Sequence, residues 1–277
     1  MANITATDVN KLRQITGSGM MDCKNALVEA DGDFEVAIDI LRKKGQKVAN
    51  KRADREASQG IVIADTTMDK SFAALILLSC ETDFVAKNSE FADLAKNILS
   101  LAIQQKPKTV DELKHLSING STVEENITHM MGKTGEKMEL VAYEFVDAPR
   151  VFAYNHMGYK LASILGLNKG SDAYDQLGHE INMQVAAMGA IALDKDDVDP
   201  TVVEREIEIG KEQARQEGKP EDMLEKIAVG KLNKFYKEST LLNQDFVRDN
   251  KITVRDYIAH HDKELKVTSF KRRMLGA

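Results

Sequence analysis

Phe72-Ala73-Ala74-Leu75-Ile76-Leu77-Leu78-Ser79-Cys80 runs directly into Glu81-Thr82-Asp83-Phe84-Val85-Ala86-Lys87-Asn88. The first segment carries no charge and no polar alternation, which predicts a buried strand. The second then lies at the end of that strand, with a carboxylate and an aromatic ring side by side on a tight exit. Such an exit presents a charge and an apolar wedge to something outside the domain, and does not by itself build a catalytic pocket. A Phe beside a strand end also commonly belongs to the core, and both readings of Phe84 stand at this point.

Outward from this segment, residues 60–64 read as a preceding strand, with a turn over 65–70. A helix follows over about 89–104, with Phe91, Leu94, Ala95, Ile98 and Leu101 on one face. The order recurs downstream: a strand over 140–146, a turn at Asp147-Ala148-Pro149-Arg150, a strand over 151–154, a turn at Gly158, an apolar strand over 160–167 and a helix over 175–193. Two related α+β halves built by duplication are therefore expected. The second exit, Asn168-Lys169-Gly170-Ser171, lacks an Asp-Phe pair, so only the first is armed.

The N-terminal residues 5–45 predict three short helices. Val9, Leu12 and Thr16 mark the first, and Gly17-Ser18-Gly19 breaks it. Cys23, Ala26, Leu27 and Ala30 mark the second. Asp33 caps the third, which carries Phe34, Ala37, Ile38 and Leu41 and is closed by Gly45. Met20 and Met21 stand outside the stripe, as partial core or as a soft contact for a partner helix. Residues 46–59 read as a polar, basic linker. The basic run from Arg42 to Arg55 reads as that linker or a solvated helix face. A helical hairpin lies between residues 200 and 238, bent at Gly218-Lys219-Pro220. It cannot bury much alone and is expected to pack on the body, on a second copy or on a partner. A short helix over about 253–261 precedes an exposed basic end at Lys271-Arg272-Arg273.

Composition narrows the function. With 277 residues, 43% hydrophobic and 30% charged, the chain reads as a soluble globular protein with a core that needs no staples. A net charge of −6 weighs against nucleic acid as main ligand. Two Cys without a CxxC pair suggest neither zinc nor disulfides, and the apolar runs are too short for a membrane span, so the cytoplasm is expected. Gly132-Lys133-Thr134 mimics a phosphate-loop end, but Ile127 stands where the first glycine belongs. His179-Glu180 begins a zincin motif that Met183 breaks. An enzyme reading survives only if scattered His and carboxylates converge in three dimensions; a protein-binding reading needs only surfaces.

Thr16-Gly17-Ser18-Gly19-Met20-Met21-Asp22-Cys23-Lys24 and the motif Glu81–Asn88 resemble the elongation factor Ts family. So do Gly218-Lys219-Pro220, Glu225-Lys226-Ile227, Lys231-Leu232-Asn233-Lys234-Phe235 and Gln244-Asp245-Phe246-Val247, in order along nearly the whole chain. Asp245 stands where the family usually has Pro, and Asn10 where a basic residue is common. The resemblance implies a guanine-nucleotide exchange factor acting on elongation factor Tu, without a reaction or cofactor of its own. It implies an α+β fold: an N-terminal ubiquitin-associated-like bundle with linker (1–54), a core subdomain with the Thr-Asp-Phe-Val motif (55–139), a second core subdomain (140–249) with a helical hairpin (196–227) inserted, and a C-terminal module (250–277). It further implies that Thr82, Asp83, Phe84 and Val85 disturb the partner's magnesium site. Leu12, Arg13, Met20 and Met21 are then docking residues on the bundle, Tyr154 and His156 are docking residues on the second half, and the hairpin is a dimerisation or coiled-coil insertion. Neither nucleic acid nor a membrane is expected as a direct partner.

Overall fold

The computed structural model describes residues 4–276; residues 1–3 and Ala277, the outer limits of the first and last expected units, lie outside them. Three helices lead: α1 (Ala6–Thr16), α2 (Met20–Glu29) and α3 (Phe34–Lys51). Thr5 and Asp8 form a reciprocal capping box at the start of α1, and Gly17 ends it in the left-handed region at φ +66°. The Asp33 side chain caps α3 by accepting from the Val36 N–H. Val9, Leu12, Cys23, Ala26, Leu27, Ala37 and Leu41 close over one another as the bundle core, the stripes read from the sequence.

Gly45 does not close the third helix: α3 continues to Lys51, and the linker shrinks to the residues between it and the next strand. The glycine serves close approach instead of termination. A Cβ on Gly45 would stand 2.5 Å from the Thr128 carbonyl oxygen of a crossing helix, and a Cβ on Gly132 of that helix would stand 3.1 Å from the Gly45 Cα. Two members of the basic run stitch the bundle to the body, Arg42 paired to Glu125 at 3.3 Å and Arg52 to Glu81 at 2.7 Å, while Lys44 pairs with Asp22 inside the bundle.

The body has two halves. The first comprises β1 (Gln59–Thr66), β2 (Phe72–Cys80), the single-turn α4 (Asp83–Ala86), α5 (Ser89–Gln105), α6 (Val110–His115), the small ribbon β3 (Ser117–Ile118) and β4 (Ser121–Thr122), α7 (Val123–Thr134), which carries Gly132, and β5 (Met138–Asp147). The second comprises β6 (Arg150–Asn155), β7 (Leu161–Leu167), α8 (Asp175–Met188), the hairpin α9 (Pro200–Gln216) and α10 (Leu224–Ser239), the ribbon β8 (Asp245–Phe246) and β9 (Asp249–Thr253), α11 (Val254–His261) and β10 (Val267–Met274).

Two antiparallel sheets result, in the orders β1-β2-β5 and β10-β7-β6. They pack face to face through Val62, Ala64, Ala73, Leu75, Leu77, Val146, Val151, Ala162 and Ile164. The outer face of the first sheet is covered by α5, α6 and α7, and that of the second by α8 and α11, giving a four-layer α+β body. All nine residues of β2 are buried, because it is central in its sheet and covered on both sides.

The strand assignment corrects the sequence reading twice. The strand over 140–146 does not open the second half; as β5 it pairs with β2 and closes the first sheet, so the first half extends to Asp147. The third strand of the second sheet is β10, formed by the segment containing Lys271-Arg272-Arg273. Its charges hide it because it is an edge strand with one solvated face, where Lys271 and Arg273 pair with Glu144 of β5. The repeat is real in topology but differs in unit: each half runs strand, strand, helix, insertion, closing strand. The helix expected over 175–193 stops at Met188, where Gly189 takes φ +61°. Gly132-Lys133-Thr134 is the end of α7, capped by left-handed Gly135, and so cannot cradle a phosphate at a helix start.

In an open helix Gly→Ala stabilises by roughly 1 kcal/mol. Gly45→Ala is expected to do the reverse, lowering stability by about 1–3 kcal/mol because α3 must lift off α7. Thermal unfolding, with proteolysis between the bundle and β1, measures this; a stabilised variant would refute the close-approach argument.

Candidate functional site

Where β2 ends, each residue of the motif has a separate task. Cys80 is buried, its thiol is pushed up to about 12 by that burial, and Sγ donates to the Thr82 carbonyl at 3.2 Å. Glu81 accepts from the Arg52 guanidinium at 2.7 and 2.9 Å and from the Lys137 N–H at 2.6 Å. Burial opposes its ionisation, but the Lys137 N–H and Arg52 overcome that and hold the carboxyl below the usual Glu value. Thr82 donates to Glu136 twice, from its hydroxyl at 2.7 Å and its N–H at 3.0 Å, and its hydroxyl also caps α4 by accepting from Val85 N–H at 3.4 Å. Val85 packs half-buried on the core of the first half.

This anchored turn leaves two groups pointing to solvent. Phe84 is 83% exposed. Among the described residues Asp83 pairs only with Lys87, one turn along and itself well exposed, at 2.7 Å. The Lys87 hydrogen bond holds the Asp83 carboxyl below its ordinary range, so it is ionised at neutral pH. Of the two fates open to Phe84, core or surface, the structure gives the surface one.

The equivalent exit after β7 is a single 3-10 turn, Asp172–Tyr174. It also carries a carboxylate and a ring, but both are tied to residues outside the exit, although Asp172 itself stays exposed. Asp172 pairs with Arg150 at 2.5 Å, and the Tyr174 hydroxyl donates to Asp262 at 2.7 Å. The difference between the armed and the unarmed exit is therefore one of partners as well as residue types.

The remaining expected site residues divide by exposure. Arg13, Met20 and Met21 lie on the bundle surface, Met20 and Met21 at 55% and 63% exposed. Leu12 is a correction: it has no exposed surface and belongs to the bundle core. It faces the stripe of α2 and α3 and can support a docking surface only from behind. Ile15, on the same last turn of α1 as Arg13, is also exposed. Asn10 lines a groove with Arg13, Gln14, Glu90, Met130 and Lys133, where the bundle meets the body. Asp245 pairs with Lys237 at 3.1 Å.

Tyr154 and His156 sit together at the end of β6, the Tyr154 hydroxyl 3.1 Å from His156 Nδ1, with His179 edge-on to the Tyr154 ring. The turn after them exposes Met157 and Tyr159. Its Tyr159 carbonyl accepts from the Val62 N–H at 2.7 Å, and β1 in turn packs on α4. The structure thus brings the turn that follows Tyr154 and His156, and the helix α4 that carries Asp83 and Phe84, against the same strand, β1. Sequence pattern does not show this, because Val62 and Tyr159 lie far apart along the chain and no local spacing joins them. Among the described residues, no group of three or more His, Cys, Asp or Glu is arranged to hold a metal ion, and no helix is long and apolar enough to cross a membrane.

The family model for elongation factor Ts matches residues 81–277, a span that includes the exposed motif and the whole second half. The elongation factors Ts of Amoebophilus asiaticus and Cytophaga hutchinsonii are each 52% identical to this chain, the first over 99% of both chains and the second over 100% of both. That of Christiangramia forsetii is 48% identical over 100% of both. With matches running end to end through bundle, motif and hairpin alike, the chain belongs to the elongation factor Ts family, a family of translation elongation factors.

Proposed function

We propose that the protein is a guanine-nucleotide exchange factor, which associates with elongation factor Tu carrying GDP, promotes GDP release and leaves the site to GTP. The observation that carries this reading is Phe84, a large ring held in water on a turn anchored by Thr82, Glu81 and Val85. Burying such a ring in a partner yields roughly 1.5–3 kcal/mol. A GTPase holds GDP through a phosphate loop and a magnesium ion bridging phosphate to protein. Phe84 is the wedge that parts packed side chains behind that site. Asp83 is the carboxylate that competes for freed donors or repels phosphate, while Thr82 and Val85 fix the turn. No bond is made or broken on this protein in that scheme, and no cofactor is needed.

Linkage sets its limits. Whatever factor the protein takes from GDP affinity, GDP takes from the affinity for the protein, so the nucleotide-free partner is bound most tightly. Cellular concentrations then choose GTP over GDP. Docking raises the effective concentration of the wedge. In this reading residues 1–54 dock on the nucleotide-binding domain through Arg13, Met20 and Met21, with Leu12 supporting them from the core. The first half carries the motif. The second half docks on another domain of the partner through Tyr154 and His156. The α9–α10 hairpin leaves Ile209, Met223 and Val229 exposed and is the surface for a homodimer.

Release of a fluorescent GDP from elongation factor Tu, followed by stopped flow, tests the scheme. Phe84→Ala is expected to lower the acceleration about tenfold or more, the loss of a hot-spot contact of at least about 1.4 kcal/mol; a variant as fast as wild type sinks the wedge. Met20→Ala with Met21→Ala removes exposed side chains and should leave stability within about 0.5 kcal/mol. Its expected effect is a several-fold higher half-saturating concentration with the maximal rate little changed. For the hairpin, sedimentation at micromolar concentration should give a dimer that Ile209→Lys with Val229→Lys converts to monomer. A wild-type monomer throughout would remove the homodimer.

A further inference from the structure

Asn155 belongs to both sheets at once. Its backbone pairs with Ala162 in the second sheet. Its side-chain amide pairs with Ala64 of β1 in the first: the Ala64 N–H donates to Asn155 Oδ1 at 2.8 Å, and Asn155 Nδ2 donates to the Ala64 carbonyl at 2.8 Å. The amide therefore gives edge strand β1 the donor and acceptor that a neighbouring strand residue would supply. Two residues back, the Val62 N–H donates to the Tyr159 carbonyl. The turn over 155–160 is thereby laid along β1 and closed on itself, with the His156 N–H donating to Leu161 at 2.9 Å and the Tyr159 N–H to His156 at 3.0 Å. Tyr159 adopts φ +53°, a left-handed conformation that a bulky residue keeps only where its surroundings hold it. β1 also packs on α4, and the charge of Lys160, at the end of the turn, reaches Asp83.

We infer that Asn155 is a positioning residue: its amide clamps the 155–160 turn to β1 and so fixes the placement of His156 relative to Phe84, letting both reach the partner in one encounter. This rests on the exchange-factor reading. An exposed turn without the clamp would have to be ordered on binding, at a cost in affinity and in the alignment of the wedge. Asn155 is distinct from the residues expected to touch the partner; it acts through them.

The clamp can be tested without a partner. In the free protein, Asn155→Ala and Asn155→Asp are expected to speed amide hydrogen exchange at Val62 about tenfold or more, while amides of β2 keep their protection. Asn155→Asp keeps the acceptor but sets a carboxylate against the Ala64 carbonyl, so it should behave like Asn155→Ala. Unchanged protection at Val62 overturns the clamp.

The positioning role is tested by a double-mutant cycle in the stopped-flow assay. Asn155→Ala is expected to raise the half-saturating concentration several-fold. It should add little once His156→Ala is present, and should be additive with Met20→Ala. A loss of general stability would instead add equally to both. Additivity with His156→Ala, or wild-type exchange by Asn155→Ala, overturns the role. If the wild-type protein does not speed GDP release, the exchange reading falls and the positioning role with it, whereas the Val62 measurement still decides the clamp.

Discussion

A strand buried on both faces must be covered twice, and the covering of β2 dictates the rest of the body. One face of β2 carries Phe72, Ala74, Ile76, Leu78 and Cys80 toward α5 and its neighbours, and the other carries Ala73, Leu75 and Leu77 toward the second sheet. Each large aliphatic among them gains roughly 1.5–3 kcal/mol over exposure. Neither half could satisfy β2 alone, since one sheet with helices on one side leaves its other face wet. Packing two such halves back to back solves the problem for both, and it leaves the strand ends as the places where the chain must emerge.

That emergence makes the motif useful. The backbone leaving β2 is held by Glu81 against Arg52 and Lys137, and by Thr82 against Glu136, so groups from the bundle and from the segment before β5 converge on one turn. A fixed turn can keep a ring in water because the ring's exposure costs little compared with the core behind it. A group carried on such a turn has little ordering left to lose on any later contact. The second half shows the opposite use of the same topology. Its exit keeps Asp172 and Tyr174 on Arg150 and Asp262, and its insertion grows into the α9–α10 hairpin where the first half has α6, the β3–β4 ribbon and α7.

The bundle joins this body through a helix crossing and ion pairs. α3 and α7 meet at Gly45 and Gly132, where two backbones come closer than any side chain would allow. In sequence a glycine after a helical stripe has the pattern of a stop, and only the neighbouring helix reveals it as a contact. The charges of Arg42 and Arg52 read as solvated for the same reason, since their partners Glu125 and Glu81 lie far along the chain.

Local pattern was enough for much of the molecule. The stripes of α1, α2 and α5, the apolar run of β2, the cap at Asp33 and the armed exit at Asp83-Phe84 are set by residues within a turn or two of each other. The order of motifs was enough for the family. What the tertiary structure alone decided is pairing across distance: β5 joining the first sheet, β10 completing the second, Leu12 turning inward, and Asn155 bridging to Ala64. Periodicity reports which face of a segment is apolar, and it carries no information on which other segment will cover that face. Strand partners and side-chain clamps are settled by the packing of the two halves against each other, and so is the laying of the 155–160 turn along β1.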